Sequence, residues 1–155
     1  MLILALNPGS TSLKFALFRD DEEIQRSVIR FDKAVLELPL ADRARHCEKL
    51  VSEFLHEASV PVESLDCVVA RGGYLKSMKI GAYQINQQLI DDLDTCIMQT
   101  PQTVGIRIAY HMMQPLGKPC FIYDAVSADE WMPIAKITGV KGLQKTVALV
   151  RFTKR

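Results

Sequence analysis

An uninterrupted apolar run, Met1 to Leu6, stops at Asn7-Pro8-Gly9, the pattern of a buried strand entering a tight turn. Leu13 to Arg19 alternates apolar and polar residues and predicts a second strand; Glu23 to Phe31 predicts a third. The acidic Asp20-Asp21 pair fits an exposed hairpin tip between them. Three strands joined by short turns imply an antiparallel meander. From Ala41 to Ala58 the period changes: Ala44, Cys47, Val51, Phe54, Leu55 and Ala58 recur at helical spacing, and Pro61 prevents continuation. Cys67 to Ala70 is a short buried strand ending at Arg71-Gly72-Gly73. Residues 86–98 predict a helix with Asn86 as N-cap. Thr103 to Met113 predicts another helix, closed by Pro115 and Gly117, and Pro119 to Tyr123 a last core strand before Asp124. Antiparallel strands followed by alternating helices and strands imply an α/β fold, a mixed sheet with helices on its faces.

Composition fits a globular domain. The 155 residues are 48% hydrophobic and 24% charged, with net charge +1, and a chain of this length buries roughly two-thirds of its unfolded surface. The near-neutral balance gives no electrostatic reason to propose nucleic acid or an anionic membrane as partner. Cys47, Cys67, Cys96 and Cys120 are widely spaced without a CxxC pair, which argues for reduced structural thiols rather than zinc. No basic region precedes the apolar N-terminus, and Asn7-Pro8 ends it before a signal peptide or membrane span is complete. A cytoplasmic protein is expected. His46, His56 and His111 are scattered over the predicted helices, and no nucleophile–base pair can be read among them.

The strongest chemical signal is Asn7-Pro8-Gly9-Ser10-Thr11-Ser12-Leu13-Lys14, between the first two strands. Gly9 permits close backbone approach to a ligand, Ser10, Thr11 and Ser12 offer hydroxyls, and Lys14 adds a cation. Asn-Pro-Gly-Ser alone reads more readily as a polar hairpin turn. The longer string following a buried strand points instead to phosphate, although it is not a P-loop, since GxxxxGK[ST] and a following helix are both missing.

That opening resembles the acetate and butyrate kinases of the sugar kinase, Hsp70 and actin superfamily. Val68-Val69-Ala70-Arg71-Gly72-Gly73-Tyr74-Leu75-Lys76 is similar to the butyrate kinase segment VVGRGGLLKP. Gly81 to Leu93 (GAYQINQQLIDDL) resembles GTYxVNxxMLxDL, Phe121 to Val126 resembles the start of FIVDPVVVDE, and Ala135 to Gly139 resembles ARISG. The similarity runs in order over residues 1–140, and ordered motifs are more specific than any one of them.

The resemblance implies a ribonuclease H-like form of the mixed sheet and phosphoryl transfer from ATP to a short-chain carboxylate, butyrate, with Mg²⁺ as cofactor. Asn7 would help position the metal-bound phosphates, with Gly9, Ser10, Thr11, Ser12 and Lys14 in the same phosphate-binding loop. Arg71 would meet the carboxylate or the transferring phosphoryl group, since a guanidinium grips planar oxyanions bidentately. Asp124 would act on the magnesium or on the attacking carboxylate; Asn7 and Asp124 are thus the metal candidates and Arg71 and Asp124 the catalytic ones. Tyr74 and Tyr83 are candidate pocket-lining aromatics near Arg71.

Departures shape the rest of the expectation. Where the family has an HASNLGA-like stretch with histidine and asparagine, this chain has Thr100 and Thr103. Family members are about twice as long, with two domains of similar fold and nucleotide between them. Residues 1–140 would be the first domain and 141–155 a divergent basic tail, with the second kinase domain absent. The expectation is a kinase-like chain inactive alone and prone to homo-oligomerise; the alternative is a non-catalytic half-domain that binds phosphate or a protein partner.

Overall fold

A computed structural model describes residues 1–76, 78–95, 100–128, 132–140 and 143. Within them lie six strands and four helices: β1 Leu2–Pro8, β2 Ser12–Arg19, β3 Glu22–Arg30, α1 Lys33–Glu37, α2 Leu40–Glu57, β4 Cys67–Arg71, β5 Ala82–Gln84, α3 Gln87–Asp94, α4 Thr103–Met113 and β6 Cys120–Tyr123. One mixed sheet contains all the strands, in the order β3-β2-β1-β4-β6-β5. β1, β2 and β3 form the antiparallel meander, β1, β4 and β6 run parallel, and β5 closes the far edge antiparallel to β6. Crossovers through α2 and through α3–α4 make the parallel pairings, as such connections require a helix-sized return.

Alternation along the strands sorts the side chains. Leu4, Leu6, Leu13, Phe15, Leu17, Val68, Ala70 and Ile122 are buried on one face, where they meet Cys47, Val51, Phe54 and Leu55 of α2 and Val104, Ile108, Ala109 and Met112 of α4. Phe15 and Phe54 pack edge to face with centroids 4.6 Å apart, a favoured aromatic geometry. α4 packs against β1, β4 and β6, and Gly105 allows it to sit close to the sheet. A Cβ there would lie 2.9 Å from the Pro8 ring.

Two expectations from the chain's pattern need correction. The first strand does not end at Leu6: Asn7 and Pro8 continue the ladder opposite Lys14 and Leu13, because proline still supplies a carbonyl and fits where the turn begins. The succession of elements is also fuller than expected: β5 precedes the 86–98 helix, and α1 follows β3, capped by the Asp32 carboxylate accepting the Val35 amide at 2.9 Å. Residues 96–98 of that helix, the Cys96 thiol and the basic tail lie outside the described residues. The expected Asn86 cap is present, its side chain accepting the Leu89 amide at 3.0 Å.

Candidate active site

The three parallel strands end at the same edge of the sheet, and the candidate residues stand there. Asn7 pairs in register with Lys14, and Arg71 with Tyr123; Asn7 and Arg71 each follow the paired residues Leu6 and Ala70. Lys14, Asn7, Arg71 and Tyr123 therefore form one row across four strands. Three inter-strand steps of about 4.8 Å make that row about 14 Å long. Asp124 follows at the end of β6 in the left-handed region, φ 51°, which turns the chain off the strand. All five line one concavity of about 460 Å³ on the face opposite α2 and α4. Carboxyl ends of parallel strands are where open α/β sheets place ligands.

Among the described residues, the side chains of Asn7, Lys14, Arg71 and Asp124 make no hydrogen bond or ion pair with the protein. Two unpaired cations against one carboxylate give the rim a net positive charge, suited to an oxyanion.

Gly9, Ser10, Thr11 and Ser12 are not part of the concavity's lining; they form the hairpin beside it. Two backbone bonds shape that hairpin: the Gly9 amide donates to the Ser12 carbonyl at 2.7 Å and the Phe31 amide to the Thr11 carbonyl at 3.0 Å. The Gly9 N–H is thus engaged within the turn, whereas the Ser10 and Thr11 hydroxyls are exposed and unpartnered among the described residues. A Cβ on Gly9 would make only ordinary contact, 3.4 Å from the Ser12 carbonyl oxygen, so the hairpin itself does not demand glycine there.

Gly72 is different. An added Cβ would fall 2.6 Å from the Ala125 Cβ and 2.7 Å from its Cα. The chain after Arg71 and the chain after Asp124 are therefore pressed together, which sets the spacing of those two side chains. Ser127, 1% exposed, ties the same segments: its hydroxyl accepts the Leu75 amide at 3.3 Å and its carbonyl the Met78 amide at 3.5 Å. Gly73 faces Thr103 and Thr100, whose atoms lie 2.8 and 3.4 Å from a hypothetical Cβ. Thr103 is buried and donates to the Thr100 carbonyl at 2.7 Å. These two threonines sit behind Gly73 and do not line the concavity.

The expected aromatic lining does not appear. Neither Tyr74 nor Tyr83 borders the concavity; Tyr83 belongs to β5 and its hydroxyl donates to the Lys79 carbonyl at 2.9 Å. Instead Phe18, Glu23, Arg26 and Ser27 extend the lining over β2 and β3, with Arg26 held by Glu23 at 2.7 and 2.9 Å. The resulting ion pair lifts the Arg26 pKa above its ordinary value. Only sheet register brings these residues beside Lys14.

No protein-family model matches the chain. Butyrate kinase 1 of Clostridium acetobutylicum is 31% identical over 146 residues, which cover 92% of this chain and 41% of that protein. The chain is related to the butyrate kinases. It spans well under half the length of that relative. Among solved structures, the acetate kinase of Porphyromonas gingivalis superposes with a TM-score of 0.60 at 16% identity, covering 90% of this chain and 41% of the other. The Entamoeba histolytica acetate kinase gives 0.58 at 17% identity, covering 92% and 39%. At these identities the superpositions establish the shared ribonuclease H-like fold. No helix among the described residues is long and apolar enough to cross a membrane.

Proposed function

We propose that this chain provides the carboxylate-side half of a butyrate kinase-type active site, in which a short-chain carboxylate receives the γ-phosphoryl of ATP. The observation that carries this reading is the gathering of Asn7, Lys14, Arg71 and Asp124, all unpartnered, on one rim at the carboxyl ends of β1, β4 and β6. The similarity to butyrate kinase 1 supports it independently.

Arg71 orients the acceptor carboxylate or the transferring phosphoryl group and offsets its charge. The acceptor needs no general base, because a carboxylate is already ionised near neutral pH. Its oxygen forms a bond to the γ-phosphorus as the bond to the β–γ bridging oxygen breaks, giving acyl phosphate and ADP. Lys14 and the Ser10, Thr11 and Ser12 hydroxyls supply donors for phosphate oxygens. Catalysis of this kind rests on positioning and charge cancellation.

A magnesium site here fits the donor set. Among the described residues no cluster of three or more His, Cys, Asp or Glu side chains could hold an ion, and Mg²⁺ bound to a nucleotide needs only one or two protein oxygens, the rest being phosphate and water. Asn7 and Asp124 would provide those oxygens, and when bound the ion supplies divalent charge against the phosphates.

Residues 1–140 are proposed as one domain of the active unit, in a cytoplasmic setting where ATP is abundant. The second half of the cleft would come from further polypeptide, including another copy of this chain. A second reading, binding without turnover, is favoured by the open face of the sheet. Parallel strands are normally covered on both sides, yet on the face opposite α2 and α4 Tyr123 of β6 stands exposed, as does Val28 of the edge strand β3. Incubation with ATP, Mg²⁺ and butyrate, trapping acyl phosphate with hydroxylamine, separates the two. Hydroxamate formation that disappears in Arg71→Ala supports the kinase reading; none from folded wild-type chain leaves only binding.

A further inference from the structure

The segment Phe121 to Val126 follows the FIVDPV pattern except at two positions, and one of them lies in the site. Tyr123 stands where the pattern has valine. It is 56% exposed, it lines the concavity, and its hydroxyl makes no hydrogen bond among the described residues. It is also the in-register neighbour of Arg71 across β4 and β6. Neighbours across parallel strands sit about 4.8 Å apart and point to the same face. A tyrosine hydroxyl and an arginine guanidinium reach similar heights above the sheet, so an oxyanion gripped by Arg71 lies within reach of the phenol.

Resting on the proposed function, we infer that Tyr123 is a second anion-contacting residue: its O–H donates to the oxyanion that Arg71 holds. Its ring lines the concavity on the β6 side of Arg71. Valine at this position would offer no donor. Asp124, the next residue, turns away from the strand with φ 51°, so the anion side of the rim is formed by Arg71 and Tyr123 together.

The test is a titration of the full chain with butyrate, and in parallel with inorganic phosphate, followed by ligand-observed and ¹⁵N NMR. A hydrogen bond to a charged group is worth enough for Tyr123→Phe to weaken binding of either anion about tenfold. Tyr123→Val should weaken it at least as much. The hydroxyl is solvent-exposed and unpartnered, so the thermal midpoint of Tyr123→Phe should equal that of wild type. Unchanged affinity in Tyr123→Phe, with binding still lost in Arg71→Ala, would overturn this inference and leave Arg71's role intact. Binding of neither anion by wild-type chain would overturn both readings.

Discussion

Substituting Gly72 with alanine probes the contact that sets the distance between Arg71 and Asp124. The new Cβ would start 2.6 Å from the Ala125 Cβ and 2.7 Å from the Ala125 Cα. Carbon atoms prefer 3.5–4.0 Å, so the two segments must part by about 1 Å. Neither side yields easily. Arg71 is paired with Tyr123 in the sheet, and beyond it Leu75 and Met78 are bonded to Ser127. The Ala125 Cβ and its backbone, rather than the tip of a flexible side chain, occupy the space. Overpacking of this kind costs about 2 kcal/mol, which for a chain of this length lowers the thermal midpoint by about 4–8 °C. Gly9→Ala is the control. Its Cβ meets nothing closer than 3.4 Å and Gly9 has no left-handed φ, so its stability should stay within about 0.5 kcal/mol of wild type. Thermal unfolding followed by circular dichroism measures both. Equal midpoints for Gly72→Ala and wild type would refute the argument that the two loops are wedged together.

Other perturbations act on neighbouring contacts and caps. Ser127→Ala removes the acceptor of the Leu75 amide and should cost about 1 kcal/mol, with faster hydrogen exchange at Leu75; unchanged exchange would contradict that role. Asn86→Ala deletes the α3 cap and should also cost about 1 kcal/mol, read as a lower urea midpoint; no change would refute the cap's contribution. Burial pushes the thiols of Cys47 and Cys120 up to about 11. At pH 8 only about 0.1% of each would be thiolate, so peptide mapping after iodoacetamide treatment should find both unmodified in native protein. Because the folded value is raised, the stability these thiols contribute is full below the unfolded value of 9.0 and is lost as pH rises through about 11. An alkaline titration showing no loss of stability over that window would contradict their burial.

The chain's pattern disclosed α4 to the residue, because an apolar stretch long enough to show helical period is closed by Pro115 and Gly117. It disclosed the meander through a continuous apolar run in β1, approximate alternation in β2 and the acidic Asp20-Asp21 turn before β3. β5 was illegible: three residues with one half-buried side chain carry no period. α1 buries nothing and so leaves no apolar stripe. At the candidate site, Asn7, Lys14, Arg71 and Asp124 could each be singled out from local chemistry and motif. Their common rim, and the presence of Glu23 and Arg26 in the same concavity, depend on strand order and register, which no short stretch of sequence encodes. Tyr74 and Tyr83 do not border the concavity, whereas Tyr123, far along the chain, is brought beside Arg71 by the β4–β6 register, which local sequence does not encode.

The most direct test of the central claim is the reverse reaction, ATP formed from butyryl phosphate and MgADP and detected by luciferase, in wild type and in Arg71→Ala. The account predicts ATP from the wild-type chain once the second half of the cleft is supplied, by a further copy or by added polypeptide, and at least a hundredfold less from the variant, as expected when a residue stabilising transition-state charge is removed. Equal ATP from both would mean that the rim at the ends of β1, β4 and β6 is not where phosphoryl transfer occurs.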